Sequence, residues 1–235
     1  TCALPIYYGQ RRRGVDMGPS AIRYAGVAER LSLLGYVVND EGNIRVFQEL
    51  ETQNEDSTLR NLREVINLSS ELAVAVTKVV EKNAVPLILG GDHSIAIGTL
   101  AGLGNHYENL GVIWFDAHAD INTPDSTPSG NIHGMPLAIS LGLGDERLTN
   151  LMGYAPKIKK ENIIIIGARS IDEGERVLIK ELGIKVYTMH EIDRLGMTHV
   201  IEDAISYLKV RNVEGVHLSL DLDALDPLYT PGVGT

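Results

Sequence analysis

Apolar positions along this chain fall into two alternating patterns. The first is helical. Over residues 57–82, Leu62, Val65, Ile66, Leu72, Val76 and Val79 recur at the spacing of one helix face. Similar patterns cover residues 19–34, 95–107, 172–182 and 197–209, with Pro19 suited to a first helical turn and Gly35 to a stop. The second pattern is a short continuous apolar run, seen at 85–89, 111–115, 162–166 and 215–220. Strands apolar on both faces that alternate with helices predict a parallel sheet covered on both sides. The fold expected is therefore α/β, in three α/β/α layers around a central parallel sheet. No repeat, low-complexity tract or linker-like stretch interrupts the pattern, so one domain is expected.

In such sheets ligands bind beyond the carboxyl ends of the strands. Three of the four runs lead into metal-type side chains there. PLILGGDH ends at Asp92 and His93, GVIWFDAHAD carries Asp116, His118 and Asp120, and GVHLSLDLDALD carries Asp221, Asp223 and Asp226. In an extended chain residues two apart point the same way, so each set can converge on one crevice. Left alone, the clustered carboxylates would repel one another and take up protons; two divalent cations would cancel that charge. Carboxylates and imidazoles without thiolates suit Mn²⁺, with Co²⁺, Ni²⁺ or Fe²⁺ as alternatives. A single Asp-x-His is as often an ordinary polar loop, but the three segments together, each after a buried strand, are not. His106, His190 and His199 read as surface residues, and His217, a strand length from the crevice, as a core histidine.

Composition narrows the partners. The formal charge is -10, from 21 Lys+Arg against 31 Asp+Glu. Nucleic acid and anionic membranes want basic patches, so neither is expected as a partner. The one cysteine, Cys2, excludes an internal disulfide. No apolar run approaches the roughly 18 residues of a membrane helix, and no signal peptide is visible; the cytoplasm is expected. TCALPI is what the end of a common sequencing adapter encodes, so residues 1–6 are read as non-native and the domain as 7–235.

The segments GGDHSIAIG, FDAHADINTPDSTPSGNIHGMPLA and SLDLDALDPLYTPGVGT resemble the signature segments of the ureohydrolases, specifically the arginase family in its Bacillus-type branch. GQRRRGVDMGPSAIR and TMHEIDRLGM resemble two further family segments, so the likeness runs from Gly9 to Thr235. It implies an arginase/deacetylase-like fold and two Mn²⁺ per chain. One ion would be held by His93, Asp116, Asp120 and Asp221, the other by Asp116, His118, Asp221 and Asp223, with a hydroxide between them. It also implies a proton-shuttling His133. Asn122, Ser129 and Asn131 would hold a substrate α-carboxylate, Asp172 its α-amino group with Glu175 nearby, and Thr235 would lie beside the guanidinium. Ala119 and Ala224 stand where glycine is usual in this branch, and Tyr8 where an acidic residue is.

The activity so implied is hydrolysis of the guanidino group of L-arginine to L-ornithine and urea, by a homotrimer or homohexamer. Agmatinase and guanidinobutyrase are the near alternatives; an α-carboxylate subsite in 122–131 favours arginine. A deacetylase-like amidohydrolase would use one zinc and a different ligand set. The family continues some tens of residues past Thr235, through a glutamate that grips the guanidinium. The chain as given is therefore expected to fold and act poorly, with an inactive fragment as the remaining alternative.

Overall fold

A computed structural model describes residues 2–4, 8–9, 14–44 and 58–232. In chain order the elements are β1 (Cys2–Leu4), α1 (Gly18–Tyr24), α2 (Val27–Leu33), β2 (Gly42–Asn43), α3 (Leu62–Glu81), β3 (Ile88–Gly90), α4 (Ile95–Gly104) and β4 (Leu110–Phe115). There follow α5 (Pro136–Ser140), α6 (Glu146–Thr149), β5 (Ile163–Ala168), α7 (Glu173–Leu182), β6 (Lys185–Thr188), α8 (Met189–Leu195), α9 (Met197–Lys209) and β7 (Gly215–Leu220).

Every strand pairing among the described residues is parallel, in the orders β2-β1-β3 and β6-β5-β4-β7. Alternate residues of β4 and β5 serve two cores. Val112, Trp114, Ile163 and Ile165 pack with Leu72 and Val76 of α3 and Leu100 of α4. Ile113, Ile164 and Ile166 pack instead with Ile192 of α8 and Val200, Ala204 and Leu208 of α9. Burial on both faces is why these strands read as unbroken apolar runs, and the expected α/β/α layering holds. β3 and β7 do not pair with each other; a cleft of about 480 Å³ lies between them, lined by Leu87, Ile88, His217 and Ser219 among others. The outward row of β7, Val216, Leu218 and Leu220, is 52%, 58% and 54% exposed.

Several boundaries differ from the sequence reading. The helix expected over 19–34 is two helices, because Gly26 takes φ +81, in the left-handed region, and stops α1. α3 starts at Leu62, behind Asn61 at φ 51, rather than at 57, which lies outside the described residues. The run at 85–89 gives a strand only from Ile88, and the helix from Ile95 stops at Gly104. β6 and α8 carry no counterpart in the helix and strand patterns read above. Cys2–Leu4, set aside there, form the central strand of the three-stranded group.

α3 and α4 pack almost backbone to backbone. A Cβ at Gly98 would stand 2.5 Å from the Ser69 carbonyl oxygen, and one at Gly102 2.6 Å from that of Ala73. Neither backbone can give way locally, so the Gly98→Ala variant should lose about 1–3 kcal/mol of stability. Urea unfolding measures this; an unchanged midpoint would mean that the helices separate at no cost. α4 in turn begins two residues after His93, so this contact seats one wall of the site. No helix among the described residues is long and apolar enough to cross a membrane.

Candidate metal centre

Three strand ends meet at one crevice. β4 ends at Phe115, and the next residue, Asp116, is tied to the neighbouring strand by its amide donating to the Ile166 carbonyl at 3.0 Å. Beyond it the chain is a loop. The Asp116 carboxylate accepts the His118 amide at 2.7 Å, and Asp120 sits at φ 50, a conformation unusual for a non-glycine residue. The convergence read from strand parity is thus achieved by a curled loop rather than an extended one. After β7, Asp221 donates its amide to the Phe115 carbonyl at 2.9 Å, and its carboxylate accepts the Asp223 amide at 3.0 Å. Asp223 in turn accepts the Ala117 amide at 3.2 Å, which locks the two loops together.

The side chains converge accordingly. His93 Nδ1 lies 2.8 Å from Asp116, 3.0 Å from Asp120 and 3.3 Å from Asp221 carboxylate oxygens. His118 Nδ1 lies 3.1 Å from Asp223 and 3.3 Å from Asp116. Two groups of donor atoms, each within 4.8 Å of one another, result: His93, Asp116 and Asp221, and Asp116, His118 and Asp223. They share Asp116. Asp120 stands beside the first group, and Asp221 is bonded into the second through Asp223.

This donor set fits divalent cations. His93 Nδ1 and one Asp116 oxygen are buried and make no aligned hydrogen bond, although 2.8 Å apart. Both residues belong to the same group of donor atoms, with Asp221. Burial disfavours a charged His93, but Asp116, Asp120 and Asp221 outweigh it and push its pKa well above the usual range. Asp116 and Asp223 carry His118 up to about 11. Asp120 is itself pushed well up, by burial and then by the Asp116 charge. Without metal the cluster therefore holds protons to balance its carboxylates. A metal ligand must be deprotonated. Mn²⁺ loading should then expel protons, and affinity should climb as pH rises. Calorimetry in buffers of different ionisation enthalpy reads this directly; no proton release would contradict the coupling.

Residues that sequence reasoning missed hold the candidate ligands in place. The second nitrogen of His93 is 2.7 Å from Ser219 Oγ, and its ring stacks on Trp114 at 4.2 Å between centroids. These contacts fix which nitrogen faces the carboxylates. Ser219 shares strand parity with Asp221, which was the available signal. Arg169 donates to the carbonyls of Asp223, Ala224 and Leu225, clamping that turn.

The other candidates lie around the crevice. His133 is in a short 3-10 turn, half-buried, with its amide donating to the Gly9 carbonyl at 3.1 Å. Burial lowers its pKa, and the nearby Asp92 carboxylate opposes this. Asn122 is buried and bonded to the Asp172 carboxylate and to Ser126 Oγ, both at 2.9 Å. Glu175 is buried as well; it accepts the Ile121 amide at 3.1 Å and the Asp172 amide at 2.9 Å, joining the ligand loop to the start of α7. Ser129 is exposed and accepts the Asn131 amide at 3.2 Å. Thr235 lies outside the described residues. His106, His190 and His199 are exposed, as expected. His217 is half-buried along the cleft, with burial pushing it down to about 4.

The model of the arginase family matches residues 2–235. The chain belongs to the arginase family. It is 64% identical over 232 residues to an arginase of Bacillus subtilis, a match that takes in 99% of this chain and 77% of that one. It is 61% identical to an arginase of Bacillus caldovelox, over 99% and 78% respectively. The solved Bacillus caldovelox arginase superposes with a TM-score of 0.96 at 60% identity, covering all of this chain and 78% of that one. A formimidoylglutamase of Bacillus subtilis shares the arginase fold at a TM-score of 0.75 but only 20% identity, over 98% and 67%.

Proposed function

We propose that this arginase-family chain hydrolyses L-arginine to L-ornithine and urea, with two Mn²⁺ in the crevice between β4 and β7. The observation that carries the reading is the pair of ligand groups sharing Asp116. His93, Asp116, Asp120 and Asp221 would hold one ion, and Asp116, His118, Asp221 and Asp223 the other. A guanidinium keeps its proton to about pH 12 or above, so neutral water attacks it poorly. Paired divalent cations supply the Lewis acidity that makes water strongly nucleophilic near neutral pH.

This chain's residues do the rest. Asp120, which lies 3.0 Å from His93 Nδ1, would take a proton from the attacking water. The water oxygen adds to the guanidino carbon, and the bond from that carbon to the side-chain nitrogen then breaks. The leaving nitrogen needs a proton, which histidine chemistry suits; His133 is the group assigned to it. Asn122, Ser129 and Asn131 form the subsite for the α-carboxylate, with Asp172 and Glu175 beside it.

Ala224, where this branch usually has glycine, keeps agmatine in view as a substrate. Urea release by the full-length, Mn²⁺-loaded protein from arginine, agmatine and guanidinobutyrate decides between them. Arginine should be preferred by roughly tenfold or more, the worth of one charge-assisted hydrogen bond to its carboxylate. An equal or higher rate with agmatine would overturn the substrate assignment.

A further inference from the structure

The segment leading into α3 carries a cation that the reaction scheme leaves unused. Thr58, Leu59, Arg60 and Asn61 run beside the loop that contains Ser129 and Asn131. The contact is made at backbone level. The Arg60 amide donates to the Gly130 carbonyl at 3.0 Å. Gly130 has φ +72, and a Cβ there would stand 2.4 Å from the Thr58 carbonyl oxygen. Only glycine lets the two strips of chain lie so close. The strip is anchored on both sides of Arg60: Leu59 is buried in a core cluster, and Asn61 Nδ2 donates to the Tyr8 carbonyl at 2.8 Å. The Arg60 Cα therefore has a fixed place beside the loop.

Its side chain is equally directed. One guanidinium nitrogen donates to Asn131 Oδ1 at 3.1 Å in a partly buried setting. With the amide oxygen so engaged, Asn131 Nδ2 is left to donate elsewhere. Among the described residues, neither that nitrogen nor the remaining Arg60 N–H groups has a partner, and no carboxylate pairs with Arg60. That is unusual in a chain of net charge -10. A guanidinium that no described acid neutralises, next to an amide donor, is a planar, multi-donor anion site. The positive end of the 20-residue helix α3, which starts two residues later, adds to the same field.

We infer that Arg60 is a specificity-determining residue: with Asn131 it binds the carboxylate of the substrate and selects arginine over its decarboxylated analogue. The inference rests on the carboxylate subsite proposed above and adds the charge that subsite lacks. Asparagine and serine offer neutral donors, whereas Arg60 makes the interaction charge-assisted on both sides. It also orients the Asn131 amide, so one residue sets both donors.

The test is binding of product analogues to the full-length, Mn²⁺-loaded protein by calorimetry. L-Ornithine and putrescine differ by the carboxylate alone. Arg60→Gln removes the charge yet retains a donor for Asn131. It should weaken ornithine binding roughly 10- to 100-fold and leave putrescine binding unchanged. Arg60→Lys should recover part of the loss. Arg60→Met, which keeps the apolar stem, repeats the comparison should glutamine disturb folding. Equal weakening of both ligands, or of neither, overturns the inference. Asn131→Ala tests the subsite on its own. If it discriminates between the ligands and Arg60→Gln does not, the role of Arg60 is wrong and the subsite stands. If neither discriminates, both are wrong.

Discussion

Replacing Asp116 with asparagine should abolish paired metal binding and cut arginine turnover by at least about 10³-fold. Asp116 is the residue common to both candidate ligand groups, so its charge would act on both proposed cations at once. Asparagine keeps the shape, and its side-chain oxygen can still accept the His118 amide that Asp116 accepts at 2.7 Å. The fold is therefore expected to survive while one full negative charge disappears. Lewis-acid and nucleophile activation by paired metals is worth several kcal/mol of transition-state stabilisation, and each 1.36 kcal/mol is tenfold in rate. Elemental analysis and urea release, read on the same preparation, check this. An Asp116→Asn protein that retains two ions and near-normal turnover would remove Asp116 from its shared position.

The His133→Ala variant should behave in the opposite way, with metal content intact and turnover lower by about 10²–10⁴-fold, the usual worth of a positioned proton donor. His133 belongs to neither ligand group. Its amide bond to Gly9 at 3.1 Å involves only the backbone and survives the truncation. Loss of metal from this variant would make His133 a ligand or a structural residue instead. Unchanged turnover with metal bound would hand the proton transfer to another group.

The strands most legible in the sequence were those buried on both faces. Val112 to Phe115 and Ile163 to Ile166 are apolar at every position because α3, α4, α8 and α9 cover both sides. β6 escaped because only Tyr187 of its four residues is buried. Its sequel α8 left a readable mark, the Thr188 and Glu191 capping box, which is a local signal independent of periodicity. Gly26 was visible too, but the helical pattern runs across it, and only the backbone conformation shows that the helix stops.

The candidate ligand residues were legible because their chemistry is uncommon at three strand ends together. Their supports were not, since each is a tertiary contact. Ser219 is 126 positions from His93, and Arg60 is 71 from Asn131. Strand parity with Asp221 marks the side of the strand on which Ser219 lies, but nothing local marks either residue for its particular partner. Asp120 shows the limit of strand parity: the residue lies at the site as expected, but in a left-handed turn rather than in extended chain.

On the proposed function, the crevice works with two cations held jointly through Asp116. Titrating metal-stripped, full-length protein with Mn²⁺, while recording bound metal and urea release from arginine, tests it most directly. Activity should rise in step with metal and reach its plateau at two Mn²⁺ per chain. A plateau at one tightly bound ion, with no further gain on adding more, would contradict the paired centre.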